Sequence, residues 1–137
     1  MANGQVRTGV TVLRVSVASV FVVHGLTRTI LGTVDDFGGF LAASGLPAGM
    51  AIAWVITIVE MFGGSLLAMG LGVRPLLLWF GLQIAAGILT VHGKVGWFVV
   101  GAGRNGAEYS VLILACLIVV ALTDSIAYRA WPRANAR

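Results

Sequence analysis

The chain has 137 residues, 58% of them hydrophobic and only 10% charged, with a mean hydropathy of +0.98. A soluble domain this short needs many more charged residues to keep its surface solvated, so the composition excludes a water-soluble globule and indicates one small membrane domain over residues 1–137. The net charge of +4 and pI near 10.2 are then read as topology determinants, and a nucleic-acid partner is not expected.

Four apolar runs, roughly residues 10–26, 50–71, 75–91 and 109–126, each approach the length of about 17–25 residues that a helix needs to cross the hydrocarbon layer. The predicted fold is all-α, a four-transmembrane-helix bundle with a short interfacial helix between spans one and two. The first run follows Arg7 as a signal peptide would. However, Arg14 interrupts it and no small-x-small cleavage site follows, so it is read as a retained span. In the connection 27–49, Phe37, Phe40, Leu41 and Ser44 recur at i, i+3, i+4 and i+7, which predicts the interfacial helix, ended by Gly45 and Pro47. The connection 71–75 is short enough to make spans two and three antiparallel neighbours, and Pro75 suits a first helical turn because its missing N–H is no loss there. Residues 92–107 contain five glycines with Trp97 and Phe98, as expected of an outer loop with an interfacial anchor. The lone Cys116 excludes an intrachain disulfide and reads as packing. The polar tail 129–137 is expected to fray.

Small residues (Ala18 and Ser19 in span one, Gly63 and Gly64 in span two, Gly81, Ala85 and Gly87 in span three) mark close helix approaches. Arg7, Arg74, Arg129, Arg133 and Arg137 fall at the termini and the second connection, against Arg28, Lys94 and Arg104 in the other two. That bias expects both termini in the cytoplasm of a bacterial plasma membrane.

Polar groups inside the spans form two layers. Arg14 lies ten positions below His24, Glu60 ten below Met50 and Gln83 nine below His92, a common depth of about 15 Å at 1.5 Å per residue. A charge at the centre of a span costs about 2.5–3.5 kcal/mol on the lenient insertion scale, so Arg14 and Glu60 are expected to pair, with Gln83 beside them. Thr57, Glu60, Gly63, Gly64 and Leu67 share one helix face, leaving a gap beside Glu60 for a side chain, water or a ligand head group. The second layer, at the outer boundary, holds His24, His92, Glu108 and Tyr109. No HxxxH or HxxE spacing exists, so no metal site is assigned. Glu108 also suits a helix N-terminus electrostatically. Gln83 and His92 are about 180° apart on an ideal helix and cannot both face the centre unless the helix changes first.

His24-Gly25-Leu26, Phe40-Leu41 leading into Gly45-Leu46-Pro47, Glu60-Met61-Phe62-Gly63-Gly64 and Gly70-Leu71-Gly72-Val73-Arg74 resemble the first half of the DoxX family. Val91-His92-Gly93, Gly96-Trp97-Phe98 and Glu108-Tyr109 resemble its second half, so the resemblance covers nearly the whole chain. One departure is Arg28, where the family commonly has a lysine. The resemblance implies a four-helix membrane protein linked to redox chemistry, with relatives in a thiosulfate:quinone oxidoreductase and others working with thiol- or superoxide-handling partners. Arg14, His24, Glu60, His92 and Glu108 match the family's polar pattern.

Two functions follow, and neither assigns a catalytic residue. The first is a small subunit of a membrane redox assembly that binds a quinone or docks a redox partner. There Glu60 and His24 bind or protonate a quinone oxygen and Arg14 holds Glu60 ionised. No haem, flavin or iron–sulfur signature is present, so other redox centres belong to the partner and no covalently bound cofactor is expected. The second is a non-catalytic assembly or stabilising factor, in which the buried ion pair only specifies helix register. A third reading, a transporter or lipid-binding module, is disfavoured because four short spans leave little room for an alternating pathway.

Overall fold

A computed structural model describes the backbone of residues 2–134 and the side chains of residues 4–123. Every regular element among them is helical. They are α1 (Ala2–Ile30), α2 (Val34–Ala43), α3 (Gly49–Met69), α4 (Val73–Val95) and α5 (Glu108–Ala134). Two helices are interrupted by one turn of π-helix, α3 at Val59–Gly63 and α4 at Ile88–His92. α3 ends at Gly70 (φ 80°), and Gly72 (φ 60°) precedes α4; both occupy the left-handed region that glycine enters without a Cβ penalty.

Three helical stretches, Gly4–Ile30, Gly49–Met69 and Val73–Val95, are long and apolar enough to cross a membrane. The predicted fourth span lies on α5, whose apolar stretch among the described residues is the shorter Glu108–Thr123; the side chains of 124–126 lie outside them. α1 runs past the predicted limits at both ends. α5 carries its helix through Ala134, so the tail expected to fray is helical over 129–134, while 135–137 lie outside the described residues.

The chain forms two compact units, one of Val15–Leu71, the other of Gly72 onward together with the chain up to Arg14. In the first, α1 and α3 run antiparallel at close range. A Cβ on Gly64 would stand 2.8 Å from Val22 Cγ2, and one on Gly25 would stand 2.9 Å from the Thr57 carbonyl oxygen. These are small-residue contacts of the kind that let membrane helices pack backbone to backbone. Helix α2 lies across the start of α3 in the same manner. A Cβ on Gly49 would meet Gly38 O at 2.5 Å and Ala42 N at 2.6 Å. Val34, Leu41 and Ala53 form the buried core of this crossing, with Phe37, Ile52 and Ile56 packed against it.

The short helix expected between the first two spans is present as α2, but its buried face differs from the apolar spacing that predicted it. Val34, Gly38 and Leu41 are inside, whereas Phe40 is exposed and the Ser44 hydroxyl turns back to bond Phe40 O at 2.9 Å. Glycine is the reason, because Gly38 lets α2 approach α3 along a line the apolar side chains alone do not mark.

In the second unit, α4 packs against α5. Val73, Leu77 and Phe80 are buried at i, i+4 and i+7 on α4, as are Leu117 and Val120 on α5. The connecting loop folds on itself: Gly106 N–H donates to Phe98 O, Ala107 N–H to Gly96 O and Glu108 N–H to Trp97 O, each at 3.0 Å.

Candidate functional site

Glu60 is 3% exposed and sits in the π turn of α3. Single π turns occur often at functional positions, since the extra residue re-aims side chains without ending the helix. One face of α3, made of Thr57, Glu60, Gly63, Gly64 and Leu67, is buried throughout, as the spacing predicts. Facing it across α1 is Gly25, where an added Cβ would stand 3.1 Å from Glu60 Cβ. Three residues later on α1 comes Arg28, and its Nη1 donates to Glu60 Oε2 at 2.8 Å and to Thr57 Oγ1 at 2.9 Å. The Thr57 hydroxyl in turn donates to Ala53 O at 2.8 Å. Both Nη1 hydrogens are thus engaged, one by a carboxylate and one by a hydroxyl whose own proton is already placed. The guanidinium lies over the Phe37 ring, 4.4 Å from its centroid. At that distance the ring face attracts the cation. Side-chain exposure is 14% for Arg28 and 4% for Glu60.

Glu60 thus forms an ion pair with Arg28, a partner that the depth count did not give. The depth count took His24 as the outer end of the first helix. α1 in fact continues to Ile30 and sets Gly25 opposite Glu60. Arg14 precedes Arg28 by about 21 Å along the same helix. The missed signal was periodic: Phe21, Gly25 and Arg28 fall at i, i+4 and i+7, and the first two are buried. Arg14 and Gln83 belong to the other unit. Arg14 is half-buried with its Nε making no hydrogen bond among the described residues, and Gln83 is half-buried on α4.

The outer cluster is likewise divided. His24 is exposed, and its Nδ1 donates to the carbonyl of Val20 at 3.1 Å on its own helix. His92, in the π turn of α4, places Nδ1 3.0 Å from Asn105 O. A carbonyl only accepts, so in each ring Nδ1 is the donor of this contact. Asn105 takes a left-handed φ of 58°, which only short polar residues and glycine adopt readily. Gln83 precedes this π turn and His92 closes it, so the 180° separation expected of an ideal helix does not apply between them. Glu108 Oε1 accepts Val99 N–H at 3.2 Å, fixing the loop to the start of α5, while Tyr109 is exposed. No group of three metal-ligating side chains occurs among the described residues.

Long apolar helices carrying a buried ion pair define an all-helical integral membrane protein. Within that class, this chain belongs to the DoxX family, whose profile matches residues 9–93. It is similar to CatD of Bacillus subtilis (strain 168), whose name assigns it provisionally to the oxidoreductases. The two are 34% identical over 125 residues, covering 90% of this chain and 84% of CatD. No solved structure matches.

Proposed function

We propose that this protein is a small subunit of a quinone-linked membrane redox assembly, and that the Arg28–Glu60–Thr57 centre holds the polar head of the quinone. The observation that carries the reading is the buried guanidinium clamped between a carboxylate, a hydroxyl and an aromatic face; the name of the relative supports it. The donor chemistry fits. Quinone oxygens accept hydrogen bonds, and a guanidinium has donors on Nε and Nη2 besides those on Nη1. Phe37 offers an aromatic surface, and the apolar surroundings suit an isoprenoid tail.

A bound quinone supplies two-electron, two-proton chemistry, with electrons delivered by a membrane or membrane-associated redox partner. The chain's own part is to bind and orient. Glu60 and Thr57 hold Arg28 in place, and α2, fixed by its glycine contacts with α3, keeps Phe37 over the guanidinium. His24, on the exposed face of α1, is left outside this centre. In the same reading the protein spans a bacterial plasma membrane four times with both termini in the cytoplasm.

The test is a titration of the purified protein in detergent with a short-chain ubiquinone, read by tryptophan fluorescence, on wild type, Glu60→Gln and Arg28→Gln. Saturable binding by wild type that is lost in both variants, with helical content unchanged, is expected. Equal affinity in all three, or no saturation by wild type, contradicts the proposal. A second reading, an assembly factor with a purely architectural ion pair, rests on the burial of that pair. It is favoured if Glu60→Gln unfolds the bundle and wild type binds no quinone.

A further inference from the structure

The groups that touch the Arg28 guanidinium are layered, with acceptors inside and donors outside. Glu60 and Thr57, which accept from Nη1, are 3% and 1% exposed. The Ala53 carbonyl behind them already receives the Thr57 hydroxyl. Each of these acceptors is closed to a molecule arriving from outside the bundle.

The guanidinium is the accessible polar group of the centre, its side chain 14% exposed. Nε and Nη2 make no hydrogen bond among the described residues, and both reach the molecular surface. Between them they carry the three N–H groups that the ion pair leaves over. One side of the guanidinium is covered by the Phe37 ring, 4.4 Å from its centroid, which adds no hydrogen-bonding group. At the guanidinium a ligand therefore meets donors and an aromatic face, while the acceptors stand behind.

That asymmetry separates the two forms of a quinone, which differ by the hydrogens on their oxygens. The oxygens of the oxidised form only accept, which complements Nε and Nη2. A quinol hydroxyl can accept as well, but it brings a hydrogen for which this surface offers no acceptor. A desolvated donor left in that state lowers affinity by roughly 5- to 150-fold.

We infer that the Arg28 centre selects the oxidised form of its ligand, binding a quinone in preference to the corresponding quinol, and that the outward donors of Arg28 determine the preference. The inference rests on the quinone reading above and adds the redox state to it. Glu60 is then a positioning residue, acting on the ligand only through the guanidinium it holds. Tighter binding of the oxidised form makes the bound couple harder to reduce, and a ten-fold preference lowers its midpoint by about 30 mV.

The experiment is isothermal titration calorimetry of the full chain in detergent with ubiquinone-1 and, under argon, with ubiquinol-1, each corrected for titration into protein-free micelles. Wild type is expected to bind the quinone about ten-fold more tightly than the quinol. Phe37→Leu removes the aromatic face and leaves the donors, so it should weaken both forms and keep their ratio. Equal affinities in wild type, or a tighter quinol, overturn the inference while leaving the site in place. A ratio that collapses in Phe37→Leu assigns the preference to the ring and overturns it too. Binding of neither form contradicts the quinone reading itself.

Discussion

Arg28 holds two acceptors with the hydrogens of one nitrogen and lies on an aromatic face, so each neighbour can be removed separately with a distinct consequence. Thr57→Val keeps the shape but leaves one buried N–H without its acceptor, and a loss of about 1–3 kcal/mol is expected in thermal melts in detergent. Phe37→Leu removes the cation–π contact while keeping an apolar side chain, with an expected loss of about 0.5–2 kcal/mol by the same measurement. A result near zero for Thr57→Val would mean that Arg28 finds a replacement acceptor in the bundle. Glu60 itself was legible in the sequence, because a carboxylate within an uncharged run must be buried with a partner. Arg28 was not, because a cation after His-Gly-Leu looks like a loop charge until the helix is known to continue to Ile30. A side chain's partner depends on the register between two helices, and that register is set by Gly25 and Gly64 rather than by distance from a helix end.

Glycine contacts set the geometry of the helical elements. Gly38 and Gly39 are adjacent on α2 yet face opposite environments. A Cβ at Gly38 would meet the Met50 backbone at 2.9 Å, whereas one at Gly39 would meet nothing within 4 Å. Gly38→Ala should therefore destabilise by about 1–3 kcal/mol through overpacking, and Gly39→Ala should stabilise by up to about 1 kcal/mol through helix propensity. The two melts displaced in opposite directions test the α2–α3 crossing, and displacement in the same direction would refute it. The existence of α2 followed from its apolar spacing, but its buried face did not, because a hydrophobic pattern does not register a contact made by glycine. The two π turns were also invisible, since each adds a residue to a helix whose sequence still repeats near 3.6. Their positions, at Glu60 and His92, coincide with residues singled out for their chemistry alone.

For the molecule as a whole, composition and apolar runs were enough to indicate an all-helical membrane protein; the second and third apolar helices lie close to their predicted runs, and the first extends well beyond its run at both ends. The fourth depends on α5, whose apolar stretch is the shortest among the described residues. The four-span reading expects a reporter fused before Gly4 and one fused after Arg137 to lie on the same, cytoplasmic side of the membrane. Reporters on opposite sides would mean an odd number of crossings and would remove the topology on which the proposed orientation rests.

The central claim is that Arg28 and Glu60 form a coupled buried pair at the centre of the first unit. A double-mutant cycle tests it most directly, comparing thermal stability in detergent for wild type, Arg28→Met, Glu60→Gln and the double variant. Breaking a buried pair from one side leaves an uncompensated charge or donor, so each single change is expected to cost about 3–5 kcal/mol. The double variant should cost less than their sum by a coupling of about 1–3 kcal/mol. Additive losses with no coupling would contradict the pair and the site built on it.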